Sequence, residues 1–500
     1  MDPFVTLAFL SFVFAIYPVI PKEKRLDIKL RLSTIDYITM LIGILLIHYI
    51  FFYSILNKFG FTLKTGIAEY GFKQKTITYL ILLFLSLFVY IRVKRAKIKN
   101  SNIKQFSELF EELLFEKKYY ELSSLINDHL VEIERIASNS IKPMISIPLL
   151  NQFFKKQKSE ESLIATAILR RLLNSQEFTN FLALSKPYLC IKILELNNDN
   201  NESFLQLYVE ALIEDKGSIY YYELEHTCNY IKGNRFKLSS DYKLLYYLFN
   251  NVKVSENLAV YKPVGEKVCD LLKKDKKLID QCNKSYQEYE KNLNTCPISS
   301  SLHFFEIMII ESMHQKIQWH MWLYYFTHFT EKILESLNPD QQVDLDKEWP
   351  TVFHYFLYQI VTIQLDWLKE YNNVEDKEFL SVTNLSLSHD NGSITKSTVL
   401  SLADTICTII KSKKITDKFK IYLIEIVARY IETTKHNKNY TEINELLIKA
   451  IVRSSFYNKT DSIYVNQLSM LYKKIDYFIR ANIPEFEEQL AAAQTEIGQT

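Results

Sequence analysis

Glycine is scarce in this chain, and its scarcity excludes several classes of enzyme. The 500 residues include nine glycines. Five of them follow residue 100, at Gly217, Gly233, Gly265, Gly392 and Gly498. A loop that cradles phosphate needs closely spaced glycines, so that several backbone N–H groups can converge on the anion. No such spacing occurs in the sequence, which excludes a P-loop, a dinucleotide-binding GxGxxG turn and a GxSxG nucleophile elbow.

Cysteine is also sparse, and its spacing argues against a zinc module or a disulfide scaffold. The six cysteines are Cys190, Cys228, Cys269, Cys282, Cys296 and Cys407. Zinc modules usually pair their thiolates two to four residues apart, and disulfide scaffolds are normally far shorter than this chain. We therefore expect reduced thiols, most of them buried.

Neither sign of charge predominates. Sixty lysines and arginines stand against 58 aspartates and glutamates, which leaves a formal charge of +2. This balance produces no overall field that would attract nucleic acid, so we expect no nucleic-acid partner. We expect no cofactor either, because the motifs that hold phosphate or zinc are missing from the sequence. The hydrophobic content of 48% predicts a substantial buried core.

Three apolar segments predict a membrane anchor over residues 1–100. They cover about residues 4–20, 35–56 and 76–93. A membrane-spanning helix needs about 20 mainly apolar residues to cross about 30 Å of hydrocarbon. The first segment has no basic residue ahead of it, which favours a retained helix over a signal peptide. The sequence therefore predicts three transmembrane helices.

Lysine and arginine are distributed unequally around these segments. The stretches that follow the first and third segments carry ten of them, whereas the loop between the second and third carries four. Basic residues are enriched on the cytoplasmic side of a membrane. The count therefore predicts a multi-pass protein of the cell membrane, with its N-terminus outside and its C-terminal domain in the cytoplasm.

Two features of the anchor are candidate functional residues. His48 lies within the second segment, where an ionisable group is a candidate for a proton or ion path. A neutral imidazole that bonds a neighbouring helix is the simpler interpretation. The basic cluster after the third segment is expected to meet anionic lipid headgroups. It consists of Arg92, Lys94, Arg95, Lys97 and Lys99.

Helical periodicity dominates the chain beyond residue 100. In QFSELFEELLFEKKYYELSSLINDHLVEIERI, apolar residues recur every three or four positions. Alternation over strand lengths is rare, so we predict an all-α fold, an irregular multi-helix domain of layered helical hairpins. The expected divisions are a helical domain at 101–371, a polar linker at 372–396 and a C-terminal helical lobe at 397–500.

Histidine is concentrated between His303 and Phe329, which contains four of the ten. On one continuous helix His303, His314 and His328 would share a stripe, but about 16 and 21 Å would separate them along the axis. Three ligands so far apart cannot bind one metal ion, so an apolar packing face is the preferred interpretation. The remaining metal hypothesis is a di-iron site of two Glu-x-x-His pairs, as in ferritin-like bundles. The pairs are Glu223 with His226 and Glu311 with His314.

A second chemical pattern is RYIETTKH, from Arg429 to His436. It resembles the arginine-and-histidine motif of HEPN-fold ribonucleases, which are all-α proteins. The resemblance covers eight residues. It implies that two subunits pair, and that Arg429 and His436 from the paired subunits cleave RNA. The structural alternative is a solvated helix end, with Lys435 and His436 favourably placed near the helix C-terminus.

These patterns favour a membrane protein whose cytoplasmic helical domain is a protein-interaction or sensing module rather than an enzyme. The expected partners are an unidentified protein and the membrane, and copies are expected to assemble through the transmembrane helices. Two alternatives stay open. One is a pore-forming effector of the bacterial-defence or toxin type, gated by the helical domain. The other is a membrane-tethered HEPN-like ribonuclease.

Overall fold

A computed structural model describes most of the chain. It covers residues 22–32, 34–60, 74–95, 97–138, 159–196, 201–231, 238–315, 323–339, 343–374, 394–453 and 461–498. Within these ranges the regular structure is helical, and the one β-type pairing is an isolated bridge between Ser285 and Thr351. The predicted all-α fold is therefore confirmed.

The chain divides into two compact units. Unit 1 comprises Met1–Leu182 and Glu195–Asn200, and unit 2 comprises Ala183–Leu194 and Asn201–Thr500. The domain bounds expected from the sequence, at 100, 371 and 396, stay a prediction. Residues 372–374 of the expected polar linker end a long helix, 394–396 begin another, and the residues between them lie outside the described ranges.

Unit 1 contains eight described helices and one 3-10 turn. They are α1 (Lys22–Arg31), α2 (Thr34–Phe51), α3 (Tyr53–Lys58), α4 (Gln74–Arg95), the 3-10 turn Asn100–Asn102, α5 (Ile103–Phe115), α6 (Tyr119–Ser138), α7 (Glu160–Asn174) and α8 (Gln176–Ser185), whose last three residues belong to unit 2. Helices α5, α6 and α7 pack together, and α2 packs along α4. Helix α5 is amphipathic, and the residues that it buries are all apolar. They are Ile103, Phe106, Leu109, Phe110 and Leu113.

The predicted membrane spans receive no support from this structure. No helix in the described part of the chain is both long enough and apolar enough to cross a membrane. The first predicted span, residues 4–20, lies outside the described ranges. The second and third correspond to α2 and α4.

Unit 2 holds the larger set of helices. Those described are α9 (Pro187–Leu194), α10 (Asn201–Glu214), α11 (Ile219–Ile231), α12 (Lys243–Phe249), α13 (Val252–Asn257), α14 (Tyr261–Lys274), α15 (Lys276–Cys282), α16 (Tyr286–Tyr289), α17 (Pro297–His314), α18 (Tyr324–Ser336), α19 (Val352–Val374), α20 (Ile394–Lys411), α21 (Asp417–Thr434), α22 (Thr441–Arg453), α23 (Ser462–Tyr472), α24 (Tyr477–Asn482) and α25 (Pro484–Gly498). Two 3-10 turns, Glu290–Thr295 and Lys438–Tyr440, join them.

Helices α17 and α20 form the core of unit 2. In each, 14 of 18 residues are buried, and the buried residues include serine, threonine, histidine or lysine as well as apolar side chains. Helix α19 packs against both, and its Trp367 is fully buried, with its ring 5.0 Å from that of Phe326 on α18.

Several helix starts follow from local sequence. Thr416 accepts a hydrogen bond from the N–H of Phe419 at the start of α21, and Asp461 accepts from Ile463 and Tyr464 at the start of α23. The first N–H groups of a helix have no partner within the helix, so a preceding threonine or aspartate satisfies them. These capping residues set where each helix begins.

Candidate functional site

The most unusual surface in the described residues is the hairpin formed by α2 and α4. The two helices run antiparallel and meet along a narrow seam. At one end of the seam Arg92 forms an ion pair with the buried Asp36, with 2.8 Å between the Arg92 Nε and the Asp36 Oδ1. Farther along, a Cβ on Gly43 would lie 2.6 Å from the Leu85 side chain, so glycine permits the close approach there.

Outside this seam the hairpin is covered with exposed apolar side chains. Fifteen large ones on α2 and α4 are between 36% and 70% exposed. They are Ile35, Tyr37, Ile38, Leu41, Ile42, Ile44, Leu45 and Leu46 on α2, and Tyr79, Leu80, Leu83, Phe84, Leu87, Tyr90 and Ile91 on α4. Monomeric soluble proteins rarely expose a contiguous apolar patch of more than a few hundred Å². A surface of this kind marks a site of interaction with lipid or protein.

His48 lies on α2 within this surface. Its Nδ1 is 2.9 Å from the carbonyl oxygen of Ile44, one turn earlier on the same helix. This bond satisfies one ring nitrogen locally. The simpler interpretation placed the bond on a neighbouring helix, whereas this one is made within α2, and the role of His48 stays a prediction.

The base of the hairpin is bound to α6 at both of its ends. Before α2, Arg31 bridges two carboxylates: it is 2.7 Å from Asp27 on its own helix and 2.9 Å from Asp128 on α6. After α4, Lys97 lies 2.6 Å from Glu132, one turn along the same face of α6. A single face of α6 therefore fixes the positions of both chain segments that enter and leave the hairpin.

A buried histidine completes this attachment. The Nε2 of His129 is 3.1 Å from Asp27, and the His129 ring packs edge-on against Phe106 of α5. Burial of Asp27 by itself favours the neutral acid, but hydrogen bonds from His129 and Arg31 outweigh it and lower the pKa of this carboxyl. The Asp27 carboxylate is therefore ionised throughout the neutral range, and it is protonated only as pH falls below its ordinary pKa of 3.8.

Sequence reasoning did not identify this attachment. Asp128 and Arg31 are 97 residues apart, and His129 and Asp27 are 102 apart. No local spacing signals such a contact, because each residue looks like an ordinary charge on an amphipathic helix. Only the packing of α1 on α5 and α6 brings these side chains together.

The basic cluster at the end of α4 and just beyond it is only partly free to meet lipid headgroups. Arg92 is paired with Asp36 and Lys97 with Glu132, although both basic side chains keep about half or more of their surface exposed. Lys99 is exposed. The side chains of Lys94 and Arg95 lie outside what the structure describes. Contact of this cluster with lipid headgroups stays a prediction.

The first Glu-x-x-His pair, Glu223 and His226, does not converge on a common site. Glu223 is buried and accepts hydrogen bonds from the N–H groups of Leu244 and Leu245, at 3.2 and 2.9 Å, so it caps the start of α12. His226 is exposed, and its Nδ1 bonds the Tyr222 carbonyl oxygen of its own helix. The Glu223 carboxylate therefore has a structural role, as the cap of α12.

Burial of Glu223 makes the stability of the protein depend on pH. Burial raises the pKa of this carboxyl to about 7, although the two backbone N–H groups oppose the shift. The folded state then holds the proton more tightly than the unfolded state, whose carboxyl has its ordinary pKa of 4.5. We expect this group to lower the free energy of unfolding by up to about 3 kcal/mol as pH rises from about 5 to about 8.

Urea denaturation across that pH range tests this expectation. Glu223→Gln should flatten the pH dependence, because the amide does not titrate. Glu225→Gln is the matched control, since Glu225 is an exposed residue of the same helix that bonds Asn294 at the surface. Equal slopes for the two variants and the unmodified chain would show that Glu223 does not titrate as described.

The second pair, Glu311 and His314, lies at the end of α17. Glu311 accepts from the Gln315 side chain at 3.3 Å, whereas the Nε2 of His314 is 3.5 Å from Glu370 of α19. The hydrogen bond to Glu370 raises the pKa of His314, and burial raises that of Glu311. No group of three potential metal ligands gathers in the described part of the chain. The di-iron hypothesis therefore has no geometric support there.

The histidine stripe is interrupted because α17 ends at His314 and α18 begins only at Tyr324. The assumption of one helix across 303–329 was therefore wrong. Gln315 follows the last turn of α17, and its side chain bonds the Phe249 carbonyl oxygen and the Val252 N–H, which holds the chain there. His303 and His328 each lie beside a glutamate three residues on, at 2.9 and 3.5 Å.

Arg429 and His436, the two residues that the HEPN resemblance implicates, lie on the surface of unit 2. Arg429 on α21 is paired with Glu425 of the same helix at 2.6 Å, and His436 is exposed in the turn after that helix. A nearby cleft of about 270 Å³ is lined by Lys435 but by neither Arg429 nor His436. A nuclease role for the two residues stays a hypothesis.

No relative suggests an activity for these sites. Comparisons of the chain with protein-family models, with curated proteins and with solved structures find no match.

Proposed function

We propose that this protein attaches to the cell membrane through the α2–α4 hairpin and presents a helical protein-interaction or sensing module to the cytoplasm. The observation that carries the proposal is the apolar surface of the hairpin. Of the 30 large apolar side chains that are exposed in the described residues, 18 lie between Ile35 and Ile91. Their burial in hydrocarbon would be favourable by about 25 cal/mol for each Å² removed from water.

A lipid bilayer fits this surface better than a protein groove. The exposed side chains cover every direction outside the seam, whereas a helix seated in a groove needs only one apolar stripe. Basic residues lie in the sequence just before α2 and at the end of α4, where the chain enters and leaves the hairpin. They would favour contact between this part of the hairpin and anionic lipid headgroups. The same count of basic residues supports a cytoplasmic position for the helical module.

The attachment of the hairpin supports a sensing role. Its entry and exit segments are fixed to one face of α6 by Arg31 and Lys97. A displacement of the hairpin in the membrane would therefore act directly on α6. This connection is the physical route by which a membrane event would reach a binding partner of the helical module.

Membrane fractionation of the full-length chain tests the proposal. The chain should sediment with membranes, stay there through alkaline carbonate extraction and be released by detergent. In intact cells, protease added from outside should leave a C-terminal tag protected until the membrane is opened. Recovery of the chain in the soluble fraction without detergent would contradict membrane attachment, and cleavage of the tag in unopened cells would contradict the cytoplasmic orientation.

A further inference from the structure

Unit 2 contains a cleft between three of its helices, the one that Lys435 lines. It lies between the end of α21, one face of α22 and the first turns of α25, and its volume is about 270 Å³. A water molecule takes up about 30 Å³ in the liquid, so the cleft has room for a ligand of about nine non-hydrogen atoms. Spaces between the helices of a bundle are a common location for small-molecule sites.

Isoleucine side chains form the floor of the cleft. Ile431 of α21, Ile448 of α22 and Ile483, which precedes α25, line it and are almost fully buried. On α22 the lining residues recur every three or four positions from Thr441 to Lys449, so one face of this helix follows the cleft for about 12 Å. This floor favours an aliphatic group of a ligand.

Both signs of charge surround the floor. Three carboxylates and two ammonium groups line the cleft, namely those of Glu445, Glu485, Glu488, Lys435 and Lys449. In the part of the chain that the structure describes, no ion pair involves Lys449 or any of the three glutamates. By contrast, Arg453 and Glu496, at the far ends of α22 and α25, lie 3.0 Å apart. Charges of both signs therefore face the cleft and stay available to a ligand.

Hydrogen bonds hold the walls of the cleft in place. The buried Asn444 of α22 donates its Nδ2 to the Thr434 hydroxyl of α21 at 3.0 Å. The Lys435 Nζ donates to the Asn482 carbonyl oxygen, at the end of α24, at 2.7 Å. These bonds join α21 to α22 and to the chain that leads into α25. A site whose walls are already fixed loses less affinity to ordering when a ligand binds.

We propose that this cleft binds a free aliphatic α-amino acid of the size of leucine. The ammonium group of the ligand faces the glutamates, its carboxylate faces Lys449, and its side chain lies over the isoleucine floor. Leucine has about nine non-hydrogen atoms, which matches the volume of the cleft. A polyamine would be repelled by the two lysines, and a simple anion by the three glutamates.

The proposal gives the sensing role a ligand, and it rests on that proposed function for its biological meaning. The binding itself does not require attachment to a membrane. A chain with Leu41→Asp and Leu45→Asp should therefore bind leucine as the unmodified chain does. Retained leucine binding in a chain that fails to sediment with membranes would contradict the proposed function and leave the cleft site standing.

The test is isothermal titration calorimetry on the full-length protein in detergent, with leucine as the probe. Two analogues each lack one charge of leucine: isocaproate has no ammonium group, and isoamylamine has no carboxylate. Both should bind at least about tenfold more weakly than leucine, because each leaves charged groups of the cleft without a partner.

Variants of the cleft give the second part of the test. Glu488→Gln and Lys449→Gln should each weaken leucine binding by about fivefold, which is the size expected for an ion pair that is open to water. Glu496→Gln is the matched control, since it removes the same charge from the same helix outside the cleft, and it should leave binding unchanged. Urea denaturation of each variant checks that the fold is retained.

Three outcomes would overturn the proposal. The first is the absence of binding at up to about 10 mM leucine. The second is tighter binding of leucine and isoamylamine in Lys449→Gln, which would show a site for cations alone. In the third, leucine binds equally to Glu488→Gln, Lys449→Gln and Glu496→Gln, which would place the amino acid elsewhere on the protein.

Discussion

A chain that carries both Leu41→Asp and Leu45→Asp is expected to lose its hold on lipid vesicles. The two leucines lie one turn apart on the outer face of α2, and each is more than half exposed. Placing one aspartate in the middle of a membrane-buried helix costs about 3 kcal/mol, and two cost about 6 kcal/mol. Even half of that amount weakens partitioning by more than about a hundredfold. Flotation of full-length protein with vesicles measures this loss.

Two controls separate the loss of lipid binding from a loss of folding. Leu41 and Leu45 are exposed and outside the helix seam, so the double variant should unfold in urea at the same concentration as the unmodified chain. Phe115→Asp removes an apolar side chain that is 89% exposed at the end of α5, outside the hairpin, and should leave flotation unchanged. Equal flotation of the double variant and the Phe115 variant would rule out the hairpin as the lipid-binding surface.

The second large effect is expected from Gly265→Ala in unit 2. Gly265 is buried on α14, and a Cβ there would lie 2.2 Å from the Tyr325 ring of α18. The ring cannot easily move away, because Phe305 and Phe329 pack against it with centroids 5.6 and 5.8 Å distant. Overpacking of this kind costs about 3 kcal/mol, and the gain in helix propensity returns only about 1 kcal/mol. We expect a net loss of about 2 kcal/mol.

Urea denaturation of matched glycine variants measures this effect. Gly217→Ala serves as the control, because Gly217 is exposed and the nearest atom to its Cβ position, on the Asp215 side chain, is 3.5 Å away. That variant should stay within about 0.5 kcal/mol of the unmodified chain. If Tyr325 is the cause, Tyr325→Leu should restore part of the loss in a Gly265→Ala background. Additive effects of the two substitutions would place the cause elsewhere.

The hairpin illustrates how far the candidate site was predictable. The apolar segments at 35–56 and 76–93 have no Asp, Glu, Lys or Arg from Tyr37 to Leu56 and from Thr76 to Ile91. Runs of this length predicted membrane helices, because they exceed what an ordinary core helix needs. Their pairing along the seam of Asp36, Gly43, Leu85 and Arg92 was not predicted. A glycine that admits a neighbouring leucine looks the same in sequence as any other glycine in an apolar run.

In the histidine-rich stretch, by contrast, the sequence did not predict where the helix ends. Helical periodicity continued through residues 303–329, yet the helix ends at His314. The side chain of Gln315 there bonds Phe249 and Val252, which are more than 60 residues away. Periodicity carries no information about such distant hydrogen bonds, so element ends of this kind are decided by tertiary contacts.

The sequence by itself determined the helical class, the apolar hairpin helices and the exclusion of phosphate-loop chemistry. Each of these depends on local quantities, namely the spacing of apolar residues and the supply of glycine. Only the tertiary structure decided that Glu223 caps α12 and that Arg31 and His129 meet at the base of the hairpin. These contacts join residues up to about 100 positions apart, and packing alone selects which of many similar side chains meet.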